Sequence, residues 1–144
     1  MGKRRVLFIC THNAARSQMA EGLMKHMYGD YYEVFSGGTE PSVLNPYAVK
    51  TMQEIGIDIS HHYAKSIDEF LDEKFDYVIT VCDQAKDSCP FFPGAKNYIH
   101  KGFTDPSRFK GREDEILSQI RKVRDEIKDW IKQVFDPRHM KSSS

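Results

Sequence analysis

The chain has 144 residues, of which 40% are hydrophobic; at this length about two thirds of the unfolded surface is buried on folding, so we expect one domain, residues 1–144. The 21 Lys and Arg residues balance 21 Asp and Glu residues, which gives none of the charge excess that favours nucleic acid or an anionic membrane as partner. No segment has the pattern of a signal peptide or the length of a membrane span. We therefore expect a cytoplasmic protein without nucleic-acid or membrane partners.

Secondary-structure patterns alternate between strand and helix along the chain. The predicted strands are Val6–Cys10, Glu33–Ser36, Phe75–Cys82 and Asn97–Lys101. The predicted helices are Ser17–Tyr28, a helix opened by Asn45 and Pro46 that ends near Gly56, one or two turns in Ser66–Leu71, and Glu113–Phe135. Right-handed crossovers between such strands produce a parallel sheet with helices on both faces. The sequence thus predicts an α/β fold, a four-stranded parallel sheet flanked by helices, with residues 136–144 as a mobile tail.

The first predicted strand ends in a loop that leads at once into a helix. Such a turn directs several backbone N–H groups at one spot, where an anion binds. Cys10 opens the loop, and the amides, the helix dipole and Arg16 favour its thiolate form, which makes it a nucleophile. The Arg16 guanidinium matches two oxygens of a tetrahedral oxyanion, and Ser17 is placed to cap the helix and to hydrogen-bond the sulfur. The predicted oxyanion-binding residues are Thr11, His12, Asn13, Ala14, Ala15, Arg16 and Ser17.

Three reactive residues are expected to meet at one edge of the sheet. Ligands of open parallel sheets bind at the carboxyl ends of the strands. Cys10 ends the first predicted strand, Cys82 ends the third, and Asp105 follows the fourth. The alternative, a cysteine that is only buried at the end of a core strand, does not predict this convergence.

The third cysteine, Cys89, makes the count odd, which does not suit a secreted disulfide framework. In a reducing compartment such thiols are catalytic, redox-active or simply buried. The six-residue gap between Cys82 and Cys89 is wide for a structural zinc knuckle. We therefore predict no metal site, and no cofactor.

Several segments accompany the loop Cys-Thr-His-Asn-Ala-Ala-Arg-Ser: Q-M-A-E-G at 18–22, S-G-G-T-E-P at 36–41, L-N-P at 44–46, G-I-D-I-S at 56–60, V-C-D-Q-A-K-D-S-C-P at 81–90 and G-F-T-D-P at 102–106. Together they resemble the thioredoxin-coupled arsenate reductases, which share a fold with the low-molecular-weight protein tyrosine phosphatases. The resemblance extends from Val6 to about Phe135. The paired Cys82 and Cys89 favour the reductase branch, because the phosphatase branch does not require them.

The resemblance implies a role for each reactive residue. Cys10 would attack the arsenic of arsenate while the loop amides and Arg16 hold the oxyanion, and Asp105 would protonate the departing hydroxide. Cys82 would then attack the adduct, which releases arsenite and leaves a Cys10–Cys82 disulfide. Cys89 would take over Cys82, and thioredoxin would reduce the resulting Cys82–Cys89 disulfide. We expect the protein to be a monomer.

Some positions depart from the pattern of the resembled family, among them His12 and Lys65. His12 stands where glycine is common, so an unusual backbone angle there would strain it. Some relatives hold a potassium ion beside the loop, and Asn13, Glu21 and Ser36 match ligand positions of that site. Lys65 does not, and we predict that its ammonium group takes the place of the ion.

Two other functions stay open. A phosphatase would use Cys10, Arg16 and Asp105 through a phosphocysteine, with the remaining cysteines as bystanders or a redox switch. Such phosphatases usually carry an aromatic residue after the Asp-Pro pair, whereas Ser107 follows Pro106 here, which argues against a phosphotyrosine site. A non-enzymatic anion sensor on the same fold needs neither a general acid nor two further thiols.

Overall fold

The computed structural model describes residues 2–82 and 92–138, so the prediction for Cys89 and most of the expected tail lie outside the described residues. Within that range the chain order is β1 (Arg4–Cys10), α1 (Arg16–Tyr28), β2 (Tyr32–Gly38), α2 (Pro46–Gln53), a 3₁₀ helix (Ile67–Phe70), β3 (Phe75–Thr80), β4 (Ala95–His100), a second 3₁₀ helix (Pro106–Arg108) and α3 (Glu113–Phe135).

The four strands form one parallel sheet in the order β2-β1-β3-β4. Its register aligns the end of β1 with its neighbours, because Cys10 pairs with Gly38 of β2 and Ile9 pairs with Thr80 of β3. The predicted four-stranded parallel sheet is confirmed, with β1 as an inner strand. Cys10, the last residue of β1, therefore lies at the middle of the carboxyl edge of the sheet, where such sheets bind ligands.

Alternate residues of β1 are buried on opposite faces of the sheet, as a pleated inner strand requires. Val6 and Phe8 contact the larger core, to which α1, α2 and α3 contribute, whereas Leu7 and Ile9 contact a smaller core on the other face. In the described residues all three α-helices thus cover one face, and the 3₁₀ helix Ile67–Phe70, which lies within the turns predicted for Ser66–Leu71, covers the other. Each large aliphatic or aromatic side chain buried in this way contributes about 1.5–3 kcal/mol.

Helix α2 begins as predicted and ends earlier than predicted. The Asn45 side chain accepts hydrogen bonds from the backbone N–H groups of Tyr47 (2.8 Å) and Ala48 (3.4 Å), and Pro46 occupies the first turn. The helix ends at Gln53 rather than Gly56, because Gly56 adopts a left-handed conformation (φ 79°) after the last turn. The cap fixes the start of α2 beside the loop that follows β1.

Helix α3 has the predicted bounds and buries an apolar stripe along one side. Ile120, Val123, Ile127 and Ile131 are buried, which is the i, i+3, i+7, i+11 pattern of an amphipathic helix packed on a sheet. Asp136, the first residue of the expected tail, is buried and its carboxylate binds Arg138 at 2.7 Å. None of the helices described in residues 2–82 and 92–138 is long and apolar enough to cross a membrane.

Candidate active site

A cavity of about 320 Å³ opens at the carboxyl end of β1. Three parts of the chain form its wall: the loop after β1, the segment 42–47 and the start of the second 3₁₀ helix. Of the residues predicted from sequence, those that line the cavity are Cys10, His12, Ala14, Ala15, Arg16 and Asp105. Thr11, Asn13 and Ser17 are buried behind it. Cys82 is buried at the end of β3 with its Sγ 3.9 Å from the Ile9 carbonyl oxygen.

The segment 40–45 holds the carbonyl groups of the loop. The backbone N–H groups of Glu40, Ser42 and Asn45 donate to the carbonyl oxygens of Thr11 (2.8 Å), His12 (3.1 Å) and Ala14 (2.9 Å), respectively. Because these carbonyls are bound on the outside, the loop amides are left to receive an anion. Sequence reasoning assigned this segment no function beyond its part in the resemblance, since the bonded partners lie about 30 residues apart along the chain.

Gly38 explains why the S-G-G-T-E-P segment carries glycine beside the loop. A Cβ atom at this position would lie 2.7 Å from the Thr11 carbonyl oxygen and 2.9 Å from the Asn13 nitrogen. Both contacts are with backbone atoms of the loop, which cannot move away without losing its shape. Glycine at the end of β2 therefore permits the close approach of the loop to the sheet.

The Cys10 sulfur accepts two hydrogen bonds. The Asn13 backbone N–H donates to it at 3.2 Å, and the Ser17 hydroxyl lies 2.9 Å away. The Asn13 side-chain amide donates to both Ser17 Oγ (2.7 Å) and Ser36 Oγ (3.0 Å), so the Ser17 hydroxyl proton is left to point at the sulfur. The Asn13 amide orientation follows from its Oδ1, which accepts from the Lys65 backbone N–H at 2.8 Å. Two converging donors suit a sulfur that carries negative charge.

One expectation about this loop was wrong, and the condition attached to another is not met. Ser17 does not cap α1, because the helix begins at Arg16 with Ala15 at the cap position, and the Ser17 hydroxyl faces Cys10 from inside the first turn. His12 is not the residue with an unusual backbone angle, since the left-handed conformation falls on Asn13 (φ 50°). Asparagine tolerates that conformation better than most residues, so His12 carries no such strain.

Arg16 and Asp105 form a buried pair across the cavity from the loop. An Nη atom of Arg16 lies 3.5 Å from Oδ2 of Asp105, and their side chains are 3% and 12% exposed. The other Nη of Arg16 donates to the Phe103 carbonyl at 3.4 Å. Asp105 Oδ1 accepts from the Ser107 backbone N–H at 3.0 Å, which caps the 3₁₀ helix Pro106–Arg108 and fixes the carboxyl group. A nucleophile, an oxyanion-binding guanidinium and a carboxyl group therefore line one small cavity.

A second polar cluster lies behind the loop around the Glu21 carboxylate. Lys25 Nζ lies 2.6 Å from Glu21, Lys65 Nζ lies 3.6 Å away, and Ser36 donates to it at 2.5 Å. Burial acts to raise the pKa of Glu21, but the two ammonium groups and the Ser36 hydroxyl outweigh it, and the pKa is lowered. An ammonium group thus lies beside Glu21, the arrangement expected if Lys65 replaces a cation; that replacement stays a prediction.

We expect Lys65→Met to destabilise the fold by about 1–3 kcal/mol, because it removes one partner of a buried carboxylate. Since the pKa of Glu21 is lowered on folding, its ionised form stabilises the protein above the ordinary carboxyl pKa, and this contribution is lost as the pH falls through the folded-state pKa. Without Lys65 the folded-state pKa rises, so the midpoint of acid unfolding should move to higher pH.

Urea unfolding as a function of pH measures both effects, with the exposed Lys110→Met as a matched control. Equal acid midpoints for the two variants would contradict the assigned role of Lys65. In the unmodified protein, potassium in place of sodium should change neither stability nor activity.

Gln18 and His62 support the loop through side-chain hydrogen bonds, a function that sequence reasoning missed. The Gln18 side-chain amide donates to Asn13 Oδ1 (2.9 Å) and to the Tyr63 carbonyl (2.8 Å), which leaves its Oε1 to accept from His62 Nδ1 at 2.8 Å. Burial lowers the pKa of His62, which favours the neutral ring. The only sequence signal was the position of Gln18 directly after the loop.

Comparison with known proteins agrees with this geometry. The family described as low molecular weight phosphotyrosine protein phosphatase matches residues 5–142. The arsenate reductase of Halalkalibacterium halodurans is 47% identical over 132 residues, which cover 92% of this chain and 95% of that protein. A solved arsenate reductase in the phosphate binding state has a TM-score of 0.78 at 30% identity, covering 91% of this chain and 95% of that one.

A thioredoxin-dependent arsenate reductase of Corynebacterium glutamicum is similar over 91% of this chain and 63% of its own, with a TM-score of 0.63 and 32% identity. The family profile spans nearly the whole chain, and the similarity to relatives named arsenate reductase extends over more than nine tenths of it. The chain therefore belongs to the low molecular weight phosphotyrosine protein phosphatase family, and within it to the group of arsenate reductases.

Proposed function

We propose that this arsenate reductase works through a relay of three cysteines, Cys10, Cys82 and Cys89, with thioredoxin as the final reductant, as a monomer in the cytoplasm. The observation that carries the proposal is the cavity in which Cys10, Arg16 and Asp105 meet. The similarity of this chain to the thioredoxin-dependent arsenate reductase of Corynebacterium glutamicum supports thioredoxin as the reductant.

In the first step the Cys10 thiolate attacks the arsenic atom of bound hydrogen arsenate. The loop amides and the Arg16 guanidinium hold the oxygens on which negative charge develops. Asp105 gives its proton to the leaving hydroxide, so water departs and a bond between Cys10 Sγ and arsenic(V) forms. The Ser107 N–H bond to Asp105 Oδ1 supports this role, because it fixes the carboxyl group at the cavity wall.

In the second step the Cys82 thiolate attacks Cys10 Sγ. A disulfide forms between the two sulfurs, the sulfur–arsenic bond breaks, and its electron pair reduces arsenic(V) to arsenic(III), which leaves as arsenite. The position of Cys82 supports the step, since the Val81 N–H bonds the Ile9 carbonyl at 2.9 Å and so places Cys82 beside the end of β1. Cys89 then attacks Cys82 and frees the Cys10 thiolate, and a dithiol of thioredoxin reduces the Cys82–Cys89 disulfide.

Replacement of Asp105 by asparagine should slow formation of the first adduct by about 10²–10⁴-fold, the usual contribution of a general acid. Asparagine keeps the size of the side chain and its bond to the Ser107 N–H but has no acidic proton to give. Rapid-quench measurement of a single turnover isolates this step from the later disulfide exchange. A rate within a few fold of that of the unmodified protein would mean that another group protonates the leaving hydroxide.

The competing proposal is a phosphate monoester hydrolase built on the same three residues. Its specific support is the cavity wall formed by Val43, Leu44 and Tyr47, which offers an ester group an apolar surface. The two proposals separate in parallel assays of arsenate-dependent NADPH oxidation, with thioredoxin and thioredoxin reductase, and of para-nitrophenyl phosphate hydrolysis. Arsenate-dependent oxidation that disappears in Cys82→Ala supports the reductase. Ester hydrolysis indifferent to that change, without arsenate turnover, would establish the phosphatase.

A further inference from the structure

We infer that His12 is a specificity-determining residue whose Nε2 atom accepts a hydrogen bond from the protonated oxygen of the substrate. It would select oxyanions that carry a proton, hydrogen arsenate and hydrogen phosphate, over sulfate, which carries none near neutral pH. The inference rests on the proposed function, because it requires that the cavity receives a tetrahedral oxyanion. It concerns selection among such anions rather than their reduction.

The tautomer of His12 follows from its contact with Glu40. His12 Nδ1 lies 3.0 Å from the Glu40 carbonyl oxygen, and a carbonyl only accepts hydrogen bonds. Nδ1 therefore carries the proton in the neutral ring, and Nε2 carries the lone pair. Among the described residues Nε2 forms no hydrogen bond, so its lone pair is available to a ligand.

The ring is held in place on the cavity wall. The Ser42 N–H binds the His12 carbonyl at 3.1 Å, and the Glu40 N–H binds the neighbouring Thr11 carbonyl at 2.8 Å. Glu40 thus bonds this part of the loop twice: its N–H donates to the Thr11 carbonyl, and its own carbonyl accepts from the His12 ring. His12 lines the same cavity as Cys10, Arg16 and Asp105. The Glu40 carbonyl thus restrains the ring of a residue that lines the cavity.

The other groups around the cavity differ from Nε2 in what they offer. The loop amides and the Arg16 guanidinium only donate, and they bind sulfate and phosphate alike. Asp105 Oδ1 already accepts from the Ser107 N–H, and Asp105 Oδ2 faces Arg16 at 3.5 Å. Asn45 Oδ1 accepts from the Tyr47 N–H. The hydroxyls of the wall both donate and accept, so they adapt to either anion. The Nε2 lone pair attracts an O–H group and repels a bare anionic oxygen.

The test compares the affinities of inorganic phosphate and sulfate by calorimetric titration at mildly alkaline pH, where both are dianions and only phosphate carries a proton. The unmodified protein should bind phosphate more tightly than sulfate. His12→Leu should weaken phosphate binding by about five- to tenfold, the effect of one hydrogen bond, and leave sulfate binding unchanged or stronger. His12→Gln, whose amide oxygen also accepts, should recover part of the preference.

Three results would overturn the inference: equal affinity of the unmodified protein for the two anions, an equal loss for both anions in His12→Leu, or no loss for either. An equal loss would mean that His12 only shapes the loop. If His12→Leu does not fold, as circular dichroism would reveal, the unmodified protein and His12→Gln decide the question. Neither anion is reduced in this experiment, so its outcome is independent of the cysteine relay. Failure of arsenate turnover in the unmodified protein would contradict the proposed function instead.

Discussion

Replacement of Cys10 by serine is expected to reduce arsenate turnover by about 10⁴-fold or more, the scale seen when a catalytic nucleophile is removed. The serine hydroxyl is hardly ionised near neutral pH, so it supplies no nucleophile for the attack on arsenic. The change is nearly isosteric, and the Asn13 N–H and the Ser17 hydroxyl would then face an oxygen atom in place of the sulfur. Arsenite production with thioredoxin and thioredoxin reductase measures the effect.

Phosphate binding by the same variant is the control for the cavity. Calorimetric titration should give a phosphate affinity close to that of the unmodified protein, because the loop amides and Arg16 are unchanged. A variant that binds phosphate and still reduces arsenate at a substantial rate would remove Cys10 from the mechanism.

Replacement of Cys89 by serine should leave about one arsenite released per protein molecule and then no further turnover. Cys10 and Cys82 suffice to reduce one arsenate, and the product is the Cys10–Cys82 disulfide. Without Cys89 the Cys10–Cys82 disulfide is not exchanged for a Cys82–Cys89 disulfide. Cys10 and Cys82 are both buried, so thioredoxin does not reach the disulfide between them. Arsenite released per protein, followed over time with excess thioredoxin, gives the stoichiometry.

The neighbouring variant Ser88→Ala is the matched control for a change in this segment and should sustain turnover. Turnover by Cys89→Ser at the rate of this control would contradict the relay. It would mean that thioredoxin reduces the first disulfide directly.

The sequence predicted those elements whose signals are local. The apolar run before Cys10 and the amphipathic stripe of α3 result from burial in a regular geometry, and the structure has both. The start of α2 at Asn45 and Pro46 depends on a side-chain cap within one turn, so it too could be predicted from the sequence. Strand ends were less accurate: β3 ends at Thr80 and β4 begins at Ala95, because pairing with neighbouring strands, not propensity, decides where a ladder stops.

Contacts between distant parts of the chain could not be predicted in this way. Ser17 has the residue type of a helix cap, but the Cys10 sulfur on the preceding strand engages its hydroxyl. The backbone bonds from segment 40–45 to the loop carry no side-chain signature at all. The approach of Lys65 to Glu21 was expected only through the resemblance, since nothing in local spacing brings these two residues together.

The relay requires its disulfides to form in a set order, and mass-spectrometric disulfide mapping after one equivalent of arsenate, without thioredoxin, reveals that order. The relay predicts a Cys82–Cys89 disulfide and a free Cys10 thiol in the unmodified protein, and a Cys10–Cys82 disulfide in Cys89→Ser. Arsenite release from the unmodified protein with all three thiols still reduced, or with a disulfide that omits Cys82, would contradict it.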